Sequence, residues 1–423
     1  MLLSAISDLP QILVRRATPA LFAIIMGTGA ISVLFTIFPY THGSSPMITL
    51  SLIIFFTNLF LFTFFSVLVI AKYVHYPQKW SSLLKNPVTS LYCGCYPMGA
   101  TTLINIAVEI IHARFHIGGK GFLYFLWAMW WLDVLLSFIC CWVGLHFMFT
   151  YQKHSLQSMT AMWLLPVVTL IVASSTGGVM TQALQPYSAS YALLTIVVSV
   201  FMVSVGLSLA LMILTIYLLR LITYGIPPGG TVLSVFLPLG PTGQSGYAAL
   251  LIGQGFGTLF PPISGDSQLL QTAGGNSAGI VLDIVCTCIA FILWSLATMW
   301  IIYALLAIYS GLRSSRIVFR VNFWGLIFPN GVYATLTIQL ANAFDSAILR
   351  AWGSVYAVGV FILWVSVALR SLWEMKTTDW RVLERHCKNA PSMRMNLAVL
   401  VFPAKRHSTG IASPSLGIAT QLA

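Results

Sequence analysis

Ten apolar stretches fill this chain, each at least as long as the roughly 20 residues a helix needs to cross a bilayer. Proline and glycine interrupt every second one. The stretches run over 19–38, 47–71, 88–111, 121–149, 161–184, 190–219, 231–256, 278–311, 321–343 and 348–370. So much apolar chain leaves little choice of fold. Only 7% of the 423 residues are charged and 58% are hydrophobic, against about 25% charged in a soluble domain, and mean hydropathy is +0.90. The expected fold is an all-α membrane protein of ten transmembrane helices. One transport domain covers 19–370, between a cytosolic segment at 1–18 and a basic cytosolic tail at 371–423 whose distal part is polar and expected to be disordered. Residues 1–18 contain Asp8 and end near Arg15 and Arg16, so the first stretch reads as an anchor, not a cleaved leader.

Basic residues orient the spans. With the N-terminus inside, eighteen lysines and arginines face the cytosol, and only Arg114, Lys120 and Arg350 lie outside. Both termini are therefore expected in the cytosol. The net charge of +12 then faces anionic lipid, and no nucleic-acid partner is expected.

The odd spans carry the helix breakers: Met26-Gly27-Thr28-Gly29, Tyr96-Pro97-Met98-Gly99 with Asn105, Pro166 with Ser174 to Gly178, Leu237 to Gln244, and Phe328-Pro329-Asn330-Gly331. Proline removes a backbone donor and frees a carbonyl one turn back. In hydrocarbon such a group needs protein or water. Breaks in all five odd spans predict a shared, partly wet interior lined by those helices, the chain folding as five repeated hairpins of about 70–85 residues. The competing reading is local, with glycines for close packing and prolines for kinks.

The odd spans hold no lysine or arginine, and their one acid is Glu109. A cation path displays acidic rings; this interior offers amides, hydroxyls and backbone donors, which suit a loosely held anion. The candidate path comprises Gly27, Thr28, Gly29, Pro97, Gly99, Asn105, Ser174, Ser175, Thr176, Pro238, Thr242, Gln244 and Asn330. Each of the polar side chains either meets substrate or satisfies a freed carbonyl. Two acids lie within even spans. Asp133 is read as an anchor or a proton carrier, and Asp283 as compensating the dipole at the start of its helix. The seven cysteines lie in apolar spans or the tail and lack zinc spacing. No metal, cofactor or catalytic constellation is expected, and the chain does not read as an enzyme.

At these motifs the chain resembles the tellurite-resistance/dicarboxylate transporter family, which includes plant slow anion channels and fungal malate permeases. The likeness covers about 17–372. Met26 to Gly29 with Phe38-Pro39-Tyr40 is similar to the family's opening signature. Asn86-Pro87 through Asn105, Trp130-Trp131-Leu132-Asp133, Trp163 to Pro166, Ser174 to Gly178 and Phe236 to Gln244 resemble its branch of fungal sulfite efflux pumps. The resemblance implies ten helices as five hairpins around a central pore, trimeric assembly in many members (hence an expected homotrimer), and a phenylalanine plug on the ninth helix. Here that plug is Phe328 or, second, Phe323. It also implies efflux of sulfite or bisulfite across the fungal plasma membrane, driven by the membrane potential. A proton-coupled malate or dicarboxylate permease and a less selective anion channel are the alternatives.

Overall fold

The computed structural model describes residues 11–389 apart from 12, 42, 228, 260–275, 315–318 and 320. The described residues are overwhelmingly helical, with no strand among them. Ten main helices follow one another: α1 Phe22–Ile37, α2 Ser45–His75, α3 Cys95–Ile106, α4 Gly119–Phe138, α5 Leu165–Leu184, α6 Ala189–Tyr224, α7 Leu239–Leu259, α8 Asn276–Ser314, α9 Ile327–Ala343 and α10 Ala347–Asn389. One compact unit ends at Ala368, and the remainder of α10 belongs to a second unit beginning at Leu369. In that second unit Arg370 pairs with Glu374 at 3.1 Å and lies over the Trp373 ring. The expected disorder of the distal tail falls outside the described residues.

Among the described residues, eight helical segments are long and apolar enough to cross a membrane. The two that fall short are the seventh and ninth, where Gly, Pro, Thr, Asn and Gln dilute the apolar run. Burial separates two classes. The most apolar stretch of the fifth segment is wholly buried, while those of the even segments are only 11 to 28% buried. Even helices expose Leu, Ile, Val and Phe in rows. Water would penalise such surfaces, and lipid does not. The chain is a multi-pass membrane protein.

The odd helices pack in a closed cycle: α1 on α3, α3 on α5, α5 on α7, α7 on α9, and α9 back on α1. Outside it, α2 packs on α1, α4 on α3 and α5, α6 on α5 and α7, and α8 on α7 and α9. α10 reaches the cycle through Trp352, which donates to the Tyr333 hydroxyl at 3.1 Å, and through Trp364, which donates to Thr28 at 3.2 Å.

One sequence expectation is corrected. The odd helices are not broken in mid-span. α1 runs unbroken through Gly27-Thr28-Gly29, and α5 through Ser174 to Gly178. The prolines instead stand where each helix begins. A 3-10 turn precedes every odd helix: Pro19–Leu21, Ser90–Gly94, Ala161–Leu164, Gly229–Phe236 and Val321–Leu326. Pro97, Pro166, Pro241 and Pro329 then fall within the first three residues of α3, α5, α7 and α9. A first-turn N–H has no intrahelical acceptor to lose, so proline is tolerated there and frees no carbonyl in the apolar zone. The even helices are not uniformly smooth, because α4 passes into a π turn at Ile139–Val143; a second π segment, Ala107–Arg114, extends α3.

The glycines serve close approach, as the local reading held. A Cβ on Gly29 would overlap the Thr102 side chain of α3, and one on Gly27 would stand 3.1 Å from Ile327 of α9. Gly99 meets Ile25 of α1 at 3.1 Å, Gly178 meets Leu251 of α7 at 2.6 Å, and Gly243 meets Val332 of α9 at 3.1 Å. The small residues of the odd spans thus close the inner cycle.

Candidate functional site: a cavity where five helices begin

Because the 3-10 turns precede the odd helices, the five α-helical N-termini can converge, and a small cavity lies among them. Its wall draws on all five odd spans. α1 supplies Ala23 and Met26; the turn before α3 and its first residue supply Tyr92 and Cys95. The fifth span supplies Thr160, Met162 and Leu165. The run before α7 supplies Gly230, Thr231, Leu233, Ser234 and Leu237, and the turn before α9 supplies Gly325. No acidic or basic side chain lines it. Aligned peptide dipoles give each helix start a partial positive charge, so five starts around one cavity favour an anion without a fixed cation. Thr160, Thr231, Ser234 and Tyr92 bring hydroxyls to the wall.

Beyond the cavity the cycle keeps internal space. Gly240 is buried, yet an added Cβ there would meet no heavy atom within 4 Å. On α9, Ile327 packs against Gly27 of α1 and Val332 against Gly243 of α7. Phe328 falls between those two flanks on the helical wheel, so it faces the interior of the cycle. It is buried. Thr335 lies two turns further on the same face, also buried, donating to the Gly331 carbonyl at 3.1 Å. Phe323, in the preceding 3-10 turn, is partly buried and sits 4.8 Å from the Phe319 ring.

The sequence candidates scatter around this interior. Thr28 accepts from Trp364 of α10, Ser174 donates to the Ser199 carbonyl of α6 at 2.7 Å, and Asn330 accepts from Tyr356 of α10 at 2.5 Å while donating to the Leu326 carbonyl at 2.6 Å. These three tie inner helices to outer ones. Thr176 and Thr242 return their hydroxyls to carbonyls one turn back, at Val172 and Pro238. Ser175 donates to Val172 and receives the amide of Gln244, a link between α5 and α7. Asn105 is different: it is 8% exposed, and its side-chain oxygen has no partner. Gly27, Gly29 and Gly99 are packing positions, and Pro97 and Pro238 are buried near helix starts.

Among the acids, Asp133 is 2% exposed and neither carboxyl oxygen has a hydrogen-bond partner. Asp283 lies seven residues after Asn276, past the first turn where a helix dipole acts. Its carboxyl oxygen would stand 2.7 Å from a Cβ on Gly253 of α7. Helix packing replaces the dipole reading. Glu109 is partly exposed, on the π segment beyond α3.

None of the thirteen path candidates lines the cavity. Most of the residues that do line it stand upstream of the glycine and proline motifs within the spans. The usable signal lay just upstream, in the hydroxyl residues preceding three of the four first-turn prolines: Tyr92, Thr160, Thr231 and Ser234. Among the described residues no His, Cys, Asp and Glu side chains group into a metal-binding set.

Comparison with known proteins agrees with this architecture. A family profile described as a voltage-dependent anion channel matches residues 16–372. A sulfite efflux pump of Arthroderma otae is 30% identical over 361 residues, covering 85% of this chain and 91% of that protein. A malic acid transport protein of Schizosaccharomyces pombe is 22% identical, covering 83% and 76%, and an uncharacterized transporter of Methanocaldococcus jannaschii is 23% identical, covering 86% and 96%.

Proposed function

This chain belongs to the voltage-dependent anion channel family, and we propose that it releases sulfite or bisulfite from a fungal cell through the interior of its inner helix cycle. The observation that carries this reading is the uncharged cavity at the five helix N-termini. Such a site attracts an anion through dipoles and hydroxyls yet holds it loosely enough to leave. The names of the relatives indicate a transporter or channel and not an enzyme, and several of them are sulfite efflux pumps.

In this reading all ten helices cross the plasma membrane as five hairpins, with α7 and α9 sheltered from lipid by their neighbours. The excess of basic residues on one side supports cytosolic termini, and with them a cavity open to the cytosol. Sulfite enters the cavity, passes the Phe328 ring when it swings aside, and leaves through the far half of the cycle. The inside-negative potential drives each negative charge outward by about 2.3 kcal/mol per 100 mV, so efflux needs no coupled ion.

Asp133 fits this scheme as a structural group, since it lies on an outer helix and does not line the cavity. Asp133→Asn, delivered to the membrane in normal amount, is expected to keep most of the parent's voltage-driven sulfite flux. A loss of tenfold or more would make this acid part of transport.

A malate-carrying reading draws on the malic acid transport relative and on Glu109, an acid able to carry a proton. Flux of sulfite and of malate into proteoliposomes, at imposed potentials and without a pH gradient, separates the two. Sulfite movement that follows voltage supports efflux; malate movement that needs a proton gradient supports the permease.

A further inference from the structure

Among the described lysines and arginines only Arg220, near the end of α6, is buried, at 4% exposure. A buried charge is ordinarily paired with an opposite one. Arg220 forms no ion pair with a described residue, and the sequence holds no acid between Asp133 and Asp266. Its guanidinium meets backbone instead. It donates to the Gly225 carbonyl and, at 3.1 Å, to the Gln157 carbonyl, while its Nε has no partner. One turn earlier on α6, Tyr217 stacks on Trp300 of α8 at 5.9 Å, and both rings are fully buried.

Both carbonyls belong to segments that lead into the cavity wall. Gln157 stands three residues before Thr160, and Gly225 five before Gly230. Three residues of chain span at most about 11 Å, so the guanidinium lies within one short loop of the wall at Thr160. The turn Ala161–Leu164, which follows Thr160, packs on α6 and on the run before α7. This part of the wall therefore joins α6 to the segment that carries Thr231 and Ser234.

Capping accounts for part of the arrangement, since a basic side chain near a helix C-terminus satisfies free carbonyls. It does not account for a charge that is buried and unpaired. Lys153, on the same loop as Gln157, is exposed, and salt screens a charge in that position. Arg220 is shielded from salt, so its field reaches further.

We propose that Arg220 is the fixed positive charge of the anion entrance: it clamps the loop bearing Thr160 to α6, and its unpaired charge, acting through that loop, draws anions into the cavity and keeps cations out. The guanidinium is held on carbonyls and does not line the cavity. It attracts the anion without gripping it, so the anion still leaves readily, as conduction requires. The proposal rests on the anion-pathway reading above and names the residue that sets its selectivity.

The test is nitrate current through the full chain at fixed pH. Its readouts are the half-saturating nitrate concentration and the reversal potential in a potassium nitrate gradient. The parent is expected to reverse near the nitrate equilibrium potential. Arg220→Gln should need about fivefold or more nitrate for half-saturation, the low end of a coupling between two groups, and its reversal should move toward that of potassium. Arg220→Lys keeps the charge while losing the forked contact, and should stay near the parent in both readouts. Parent-like values in Arg220→Gln overturn the proposal. So does a lysine variant as impaired as the glutamine one, which would leave Arg220 a structural clamp. Arg220→Met, apolar and of similar length, takes the place of glutamine if that variant does not fold. The parent offers a second measurement: its Tm should be higher in nitrate than in gluconate at equal ionic strength, because a permeant anion answers the buried charge. An unchanged Tm also overturns the proposal. Absence of both nitrate and sulfite current in the parent would instead remove the anion-pathway reading, a result distinct from the others.

Discussion

Phe328→Ala is expected to raise basal anion current about tenfold, equivalent to removing a barrier of about 1.4 kcal/mol. The ring stands on the inward side of α9, flanked by Ile327 against α1 and Val332 against α7. It lies within one turn of the helix start, three residues past Gly325 of the cavity wall. Alanine keeps the helix and removes the obstruction. Its large-to-small change also costs packing, about 3 kcal/mol or more for a buried phenylalanine, so surface expression is measured alongside. Unchanged current per molecule at the surface would rule Phe328 out as the gate. Phe323→Ala provides the comparison: that ring leans on Phe319 and is expected to change current much less.

Gly177→Val is expected to be the most damaging single change in the inner cycle. A Cβ at Gly177 would overlap the Ser199 hydroxyl of α6 and stand 2.7 Å from the Trp130 ring of α4. Neither neighbour can yield cheaply. Ser199 donates to the Thr195 carbonyl at 2.8 Å while its own carbonyl accepts from Ser174. Trp130 is fully buried, and its indole N–H is fixed on the Ala173 carbonyl at 2.9 Å. Overpacking a filled core costs about 1–3 kcal/mol for added methylenes, and here two helices must move together. The expected readout is loss of most folded protein in detergent, with a lowered Tm for what remains. Gly240→Ala is the control, since an added methyl there meets open space. Equal thermal stability of Gly177→Val and the parent would show that the helices separate more easily than the packing implies.

The two glycines illustrate what could be read and what could not. In the sequence Gly177 and Gly240 look alike, each a small residue in an odd span beside hydroxyl or proline neighbours. One is pressed between two outer helices, and the other borders a void. Helical periodicity places a residue on a face, but it does not say which neighbour that face meets.

Thr28, Ser174 and Asn330 show the same limit. Each is a polar group within three residues of a glycine in an apolar span, as either a pore residue or a tether would be. Their partners are Trp364, Ser199 and Tyr356, which lie 336, 25 and 26 residues away along the chain. Only the packing of α10 and α6 onto the inner cycle assigns them to the tether role. Proline is misleading for a related reason. Its rule is local, a missing donor and a fixed φ, and it is satisfied equally by a mid-span break and by a first turn. The chain takes the first turn, which costs no hydrogen bond.

By itself the sequence determined that this chain is helical and membrane-embedded, where most helices lie, and that odd and even spans differ. Those properties follow from composition and spacing, which act within one helix length. The even spans carry rows of large apolar side chains on the faces turned from the inner cycle, where lipid lies; the odd spans carry small and polar residues because other helices surround them. Tertiary structure alone decided that five helix starts meet around one cavity, that Phe328 points inward, and that Thr28, Ser174 and Asn330 reach helices outside the inner cycle. Each of those facts depends on the direction in which separate helices pack, and side-chain contact between distant segments sets that direction.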